Sequence, residues 1–274
     1  DGDQTTLVTV AVVDASTDNA FDGVADQTVS VTTSDDDGAG ITVSPTAGLA
    51  TSEAGGAASF TVVLTSQPTA DVTIGLSSSD TTEGTVSPAS VTFTAANWNV
   101  ARTVTVTGVD DLVDDGDVAY SIVTAAATSA DPAYSGLNGA DVAVTNADND
   151  AAGFTLGQTG GNTTVTEAGG TDTFTVVLTA QPLSDVVLSV TSGDVGEATV
   201  DKATLLFTPA NWNVAQTVTV AGVDDPVDDG DQTTLVTVAV VDASTDNAFD
   251  GVADQTVSVT TSDDDGAGIT VSPT

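Results

Sequence analysis

Residues 1–46 of this chain recur letter for letter as residues 229–274. A stretch of that length folds the same way wherever its surroundings are the same, so the chain is expected to be a series of like modules rather than one continuous core. A fainter repeat lies inside the first. GITVSPT at Gly40 is answered by GFTLGQT at Gly153 and by GITVSPT again at Gly268, in steps of 113 and 115 residues. Each step is long enough for one independently folding core. The expected organisation is the end of a B-type module at 1–39, a complete A-type module at 40–152, a complete B-type module at 153–267, and the first strand of the next A-type module at 268–274. Both ends of the chain are expected to be cuts within a longer array.

The two complete modules resemble each other in specific segments. TSEAGGAASFTVVLTSQP faces VTEAGGTDTFTVVLTAQP, and TFTAANWNVARTVTVTGVDDLVDDGD faces LFTPANWNVAQTVTVAGVDDPVDDGD. The apolar positions in these segments repeat with period two: Phe60, Val62 and Leu64, then Val72, Ile74 and Leu76, then Val104 and Val106, with threonine prominent between them. That alternation predicts strands with one buried face. Similar short runs at 91–93, 118–122 and 142–144 bring the count to about seven strands per module, and no segment carries a helical stripe. The expected fold class is all-β, as tandem antiparallel sandwiches near the immunoglobulin class in architecture.

Charge narrows the function. Forty acidic residues stand against Arg102 and Lys202, which excludes a nucleic-acid partner, because the phosphate backbone is held by Lys and Arg. No Cys is present, so disulfides and thiolate metal sites are excluded. No apolar run reaches membrane-spanning length. With no His and no Cys, and with its two basic residues at non-equivalent places, the chain lacks the usual parts of an active site. Carboxylate clusters that recur in both modules suit structural ligands better than one catalytic cleft, so the chain is read as not an enzyme.

The acids are concentrated. Asp110, Asp111, Asp114, Asp115 and Asp117 fall within eight residues, and Asp224, Asp225, Asp228, Asp229 and Asp231 take the matching places in the second module. A second cluster closes each module, NADND at 146–150 and SDDD at 262–265. Two carboxylates about 4 Å apart repel by roughly 4 kcal/mol at an effective dielectric near 20. A loop tip carrying several therefore resists ordering unless a cation sits among them. A solubilising charge needs only to be plentiful and exposed, whereas this charge returns at fixed places in loops. Hard oxygen donors without His or Cys point to Ca2+.

These residues resemble the Calx-beta module of bacterial surface proteins and sodium/calcium exchangers. The likeness is carried by the TSEAGG and VTEAGG turns, the FTVVLT strand, the strand before NWN, and TVTVxGVDD leading into the acidic loop. It implies a seven-stranded sandwich with calcium at one tip. The ligands it implies are Glu53 and Glu167 early in each module, Asp80 and Asp194 after the third strand, and Asp110 with Asp111 and Asp224 with Asp225 in the main loop. Asp115 and Asp229 follow as the later loop ligands, and Asp148 with Asp150, and Asp263, Asp264 and Asp265, close the modules. The sequence departs from the pattern at the final acidic place of the loop, where Val118 and Gln232 stand. Asp117 and Asp231, one residue earlier, are the substitutes.

The closing acids run without a linker into the next module, so an ion there is expected to stiffen the joint between neighbouring copies. The expected function is an extracellular structural or adhesive repeat protein, a calcium-stabilised rod forming an adhesin stalk or surface filament on a bacterial cell or in its secreted matrix. Its partners are neighbouring copies of the same modules, in tandem or as a filament. The alternative is an adhesion module recognising a carbohydrate or surface. Trp98 and Trp212 of the two NWN motifs read as packing anchors. Tyr134 and Phe249, each in a long loop, are open to two readings: covering the sandwich end or docking on a neighbour.

Overall fold

In the computed structural model, which describes residues 2–13, 19–21 and 23–272, the chain is all-β. Its only helical elements among the described residues are three-residue 3-10 turns. The strands are β1 (Gln4–Val10), β2 (Gln27–Thr33), β3 (Ile41–Ser44), β4 (Leu49–Ser52), β5 (Ala57–Leu64), β6 (Val72–Ser78), β7 (Gly84–Ser87), β8 (Ser90–Phe93), β9 (Arg102–Gly108), β10 (Val118–Thr124), β11 (Thr128–Ser129) and β12 (Val142–Ala147). They continue as β13 (Phe154–Gln158), β14 (Thr163–Thr166), β15 (Thr171–Leu178), β16 (Val186–Ser192), β17 (Ala198–Val200), β18 (Thr204–Phe207), β19 (Gln216–Gly222), β20 (Gln232–Val240) and β21 (Gln255–Ser262).

Strands β3 to β12 form one sandwich. Four of them make a sheet in the order β3-β5-β9-β7, and the other sheet runs β11-β6-β10-β12-β4 with β8 on β6. The residues singled out by period two form its core: Phe60, Val62 and Leu64 face Val72, Ile74, Phe93, Ile122 and Val142. Strands β13 to β21 repeat the plan, with sheets β13-β15-β19-β17 and β14-β21-β20-β16-β18 around Phe174, Val176, Leu188, Phe207, Val236 and Val259. Burying such a side chain contributes roughly 1.5–3 kcal/mol, and in a chain without disulfides these two cores carry the stability.

The opening strand expected for each module is in fact two. β3 pairs with β5 in one sheet, whereas β4 lies beside β12 in the other. In the second sandwich β13 pairs with β15, and β14 lies parallel to β21. Each pair is separated by a glycine with positive φ, Gly48 or Gly160 and Gly161, which lets the backbone turn where it changes sheets. No change in hydrophobic period marks that crossing, so the pattern read as one strand.

Aromatic residues settle where the loops end. Tyr134 is buried, and its hydroxyl donates to the Ser66 carbonyl at 2.6 Å. Phe249 is buried in the second core. Both therefore cover the end of their own sandwich. Trp98 and Trp212 pack partly buried against the cores, as anchors should. Asn97 Oδ1 and Asn211 Oδ1 accept the N–H of Thr94 and Thr208 at 2.8 and 2.6 Å, fixing the two NWN turns alike.

By compactness the chain divides into two units. One holds Asp1–Thr51, Gly55–Val109 and Ala119–Asn146; the other holds Ser52–Ala54, Asp110–Val118 and Ala147–Thr274. The second unit therefore includes the acidic loop after β9, the residue Glu53 and the closing acids 148–150, together with strands β13 to β21. Inside this unit the Gln181 N–H donates to the Leu112 carbonyl at 2.6 Å. The loop that follows β9 thus belongs with the turn that follows β15.

Candidate metal centres

Three chain segments build the first acidic apex: the turn after β4, the loop after β9 and the run after β12. The backbone N–H of Glu53 donates to the Ala147 carbonyl at 3.1 Å, which sets the start of the turn against the end of β12. Glu53 is buried, and its Oε2 accepts the N–H of Asn149 at 3.1 Å. The Asn149 side chain donates in turn to Asp110 Oδ1 at 3.1 Å. Carboxylate oxygens of Glu53, Asp110 and Asp150 all lie within 4.8 Å of one another. Asp150 Oδ2 is buried without a hydrogen-bond partner.

The loop itself is held by carboxylates gripping backbone N–H groups. Asp148 accepts from Gly116 at 2.8 Å and from Asp150 at 2.7 Å, Asp117 accepts from Asp148 at 3.2 Å, and Asp114 accepts from Ala152 at 2.7 Å. Gly116 has φ 74°, a conformation that a side chain resists. That is why a glycine interrupts the acidic run.

The second apex repeats this wiring. Asp263 accepts from Gly230 at 2.7 Å and from Asp265 at 2.8 Å, Asp231 accepts from Asp263 at 3.2 Å, and Asp228 accepts from Ala267. A third copy appears at residues 2–37, where Asp35 accepts from Gly2 at 2.7 Å and from Asp37 at 3.1 Å, and Asp3 accepts from Asp35 at 2.9 Å. Glu167, Asp263 and Asp265 bring carboxylate oxygens within 4.8 Å of one another, and Glu167 is buried with Oε2 unpartnered.

The crowding shows in the acidities. Burial pushes Glu53 up to about 7, and the charges of Asp148 and Asp111 add to the rise. Asp115 and Asp150 are raised by burial and then by neighbouring aspartates, Asp111 first for Asp115 and Asp148 first for Asp150. Glu167 and Asp265 are raised for the same reasons, with Asp263 the leading charge on each. Asp148 moves the other way: burial opposes ionisation, but the N–H groups of Asp150 and Gly116 outweigh it and lower the pKa. Asp148 is therefore the anion the loop is built around, and Glu53 is the carboxyl that most needs a countercharge.

These donor sets fit a calcium ion. All are oxygen, several carry no proton donor in reach, and the two basic residues lie elsewhere, Arg102 on β9 and Lys202 beside Asp201 at 3.8 Å. Glu53, Asp110 and Asp150 would hold the ion in the first apex, and Glu167, Asp263 and Asp265 in the second.

Searches with the whole chain return likenesses of fold. No protein-family model matches the sequence, and no curated protein matches it. Among solved structures, calcium binding domain CBD12 of CALX1.1 is similar over 73% of this chain and 79% of that one, at 16% identity and TM-score 0.32. The apo-form Calx CBD1 domain covers 41% of this chain and 98% of its own length, at 19% identity and TM-score 0.31. Domains 4–9 of surface layer protein SbsC cover 95% of this chain and 35% of theirs, at 18% identity and TM-score 0.29.

Not every residue expected as a ligand stands in such a group. Asp80 is exposed, and its Oδ1 accepts from Thr82, whose hydroxyl and N–H lower its pKa. Asp194 is exposed, with Oδ1 on the Gly196 N–H at 2.8 Å. Both carboxylates organise their own turns. Asp225 accepts from Val227 at 2.8 Å while keeping a second oxygen; Asp111 accepts from Val113 at 2.8 Å but does stand in an acidic group, with a carboxylate oxygen within 4.8 Å of one on Asp115. Asp117 and Asp231 are engaged as loop clamps, and Asp224, Asp229 and Asp264 stand in the charged surroundings of Asp265, Glu197 and Asp265 respectively.

Glu197 escapes the sequence pattern. Its Oε2 is buried without a partner, and burial followed by the charges of Asp229, Asp194, Asp225 and Asp263 raises its pKa. Its counterpart Glu83 is buried, and Asn146 Nδ2 donates to Glu83 Oε2 at 3.4 Å. The signal was present: the chain has only four glutamates among forty acids, and they occupy two paired positions. A longer side chain reaches inward from a strand end, where an aspartate stops short.

Proposed function

We infer that this chain is a calcium-stabilised rod of β-sandwich modules, an extracellular structural repeat protein of an adhesin stalk or surface filament. The observation that supports this most directly is the recurrence, at successive apices, of one hydrogen-bonded acidic loop around a buried glutamate that lacks a countercharge. Glu53 with Asp110 and Asp150, and Glu167 with Asp263 and Asp265, supply the oxygen donors. Carboxylate groups that recur around the paired glutamates Glu53 and Glu167 suit a spacer rather than a catalyst.

The second compact unit contains both an acidic loop of the first sequence module and the core of the next. An ion held by Glu53, Asp110 and Asp150 orders the loop from which Leu112 reaches Gln181. Calcium bound there stiffens the joint, as the missing crosslink of a chain without disulfides. At free calcium a hundredfold above the dissociation constant, linkage adds roughly 2.7 kcal/mol per site. No helix among the described residues is long and apolar enough to cross a membrane.

Calorimetric titration of the chelated chain with calcium tests the reading, alongside electron microscopy of the native material with and without chelator. Heat of binding together with beaded rods that soften on chelation supports it. Absence of uptake, with melting indifferent to chelator, overturns it.

A further inference from the structure

Glu83 and Glu197 stand at matching places, immediately before β7 and β17, but the two sandwiches back them differently. Behind Glu83 lies a chain of buried polar side chains. The hydroxyls of Tyr120 and Thr51 share a hydrogen bond at 3.1 Å, and Thr51 Oγ1 donates to Asn146 Oδ1 at 2.9 Å. Asn146 Nδ2 then donates to the Val109 carbonyl at 3.0 Å and to Glu83 Oε2 at 3.4 Å. Gly84 makes room for this chain, since a methyl group there would overlap the Tyr120 hydroxyl. In the second sandwich the places of Thr51, Gly84, Tyr120 and Asn146 are taken by Val165, Ala198, Thr234 and Thr261, all buried. Four matched positions thus change together around one spot. A hydroxyl has one proton to give where an amide has two. The Thr261 hydroxyl gives its proton to the Glu197 main-chain carbonyl at 3.1 Å, and Glu197 Oε2 is buried without a hydrogen-bond partner.

We propose that Asn146, backed by Thr51 and Tyr120, is a positioning residue that keeps the entry to the first acidic loop ordered without calcium, whereas the entry to the second loop takes its order from the ion. The proposal rests on the calcium reading of the apices. Asn146 grips two groups at once, the Glu83 carboxylate and the carbonyl of Val109, the residue before Asp110. A donor behind a carboxylate fixes its direction whether or not an ion sits in front. Glu197 has no such donor on Oε2. A buried acceptor without a partner costs the full desolvation of that group, and the ion-free second apex escapes the cost by opening to water. In an array that alternates the two sandwiches, every second apex loosens first as calcium falls.

Two amides of the full chain report this directly. The N–H groups of Val109 and Val223 each lie in the sequence GVDD, and each donates to the carbonyl of its glutamate at 3.0 Å. Their hydrogen exchange therefore differs only through their surroundings. In chelator, exchange followed by NMR should be at least about tenfold slower at Val109 than at Val223, the worth of one hydrogen bond to a charged group. Calcium should close the gap by slowing Val223. Asn146→Thr, which installs the residue of the second sandwich, should bring Val109 to the Val223 rate in chelator and leave it slow in calcium. Thr51→Val, a change of nearly equal volume that frees the Asn146 amide, should move Val109 the same way. Equal exchange at the two amides in chelator overturns the role given to Asn146. So does an acceleration in Asn146→Thr that persists in calcium or spreads to Phe60 and Val104, paired across β5 and β9, because that marks loss of core packing. A gap between the parental amides that calcium leaves unchanged overturns instead the role given to the ion.

Discussion

Asn149 donates its backbone N–H to Glu53 Oε2 at 3.1 Å, joining the acids that close one module to the glutamate that follows its strand β4. This contact leaves two carboxylates, Asp110 and Asp150, converging on the same glutamate, while the chain's two basic residues stand on β9 (Arg102) and beside Asp201 (Lys202). The stability of the apex then depends on what neutralises it.

Chelation should lower the melting temperature. At roughly 2.7 kcal/mol per saturated site, and with each kilocalorie worth about 4–8 °C in a domain of roughly a hundred residues, removal of one ion should cost on the order of 10 °C. Differential scanning calorimetry in calcium and in chelator checks this. Magnesium at the same concentration should restore little, because it holds its water more firmly and demands stricter geometry.

Replacing Glu167 by Gln should have opposite effects in the two conditions. Its Oε2 is buried and unpartnered, so without calcium the neutral side chain relieves repulsion from Asp263 and the variant should melt above the parent. With calcium, loss of one anionic ligand should weaken binding at least about tenfold, or roughly 1.4 kcal/mol. A variant that melts lower in both conditions would mark Glu167 as a packing residue only. Glu197→Gln should behave in the same way, since its carboxylate faces Asp229, Asp225 and Asp263.

The strand cores were legible because their signal is local: Phe60, Val62 and Leu64 alternate with smaller or polar residues, and every one of the three is buried. The acidic loops were legible because aspartate runs have few other uses. Two things were hidden. Asp80 and Asp194 carry the right chemistry, but neither stands in an acidic group among the described residues, and Oδ1 of each accepts from Thr82 or Gly196, a placement made by the turn and invisible in spacing. The fate of a repeat is also non-local. GITVSPT forms β3 at Gly40, where β5 pairs with it, and has no strand over residues 268–272; Pro273 and Thr274 lie outside the described residues.

Acidity gives a third expectation. In the ion-free state Glu53 is raised from 4.5 to about 7, so between those values the folded chain holds a proton that the unfolded chain has released. Folding stability then falls as pH rises, because the native state binds more protons. The stabilising contribution is complete below about 4.5 and is lost as pH climbs through about 7. Melts in chelator from pH 5 to 8 should therefore drift downward. In saturating calcium the drift should vanish, since the ion has displaced that proton and the unfolded glutamate is ionised over the same range, and titration heats near pH 6 should vary with the ionisation enthalpy of the buffer. Glu53→Gln should flatten the chelator series.

Gly222 links the fold to the site and supplies the last test. It ends β19 just before the acidic loop, and its N–H donates to the Gly170 carbonyl at 3.0 Å. A methyl group there would collide with the backbone carbonyl of Thr166, the residue preceding Glu167. Backbone cannot rotate aside as a side chain can, so Gly222→Ala must push the loop and the glutamate apart. Overpacking of this kind costs about 1–3 kcal/mol, and here it also spoils the spacing of Glu167 from Asp263 and Asp265. The expected outcome is a lower melting temperature in chelator and a further loss of calcium affinity in the second sandwich. Gly251→Ala is the control: nothing lies within 4 Å of its added carbon, and both quantities should stay at parental values. Equal behaviour of the two variants would show that the glycine before the loop serves turn geometry alone.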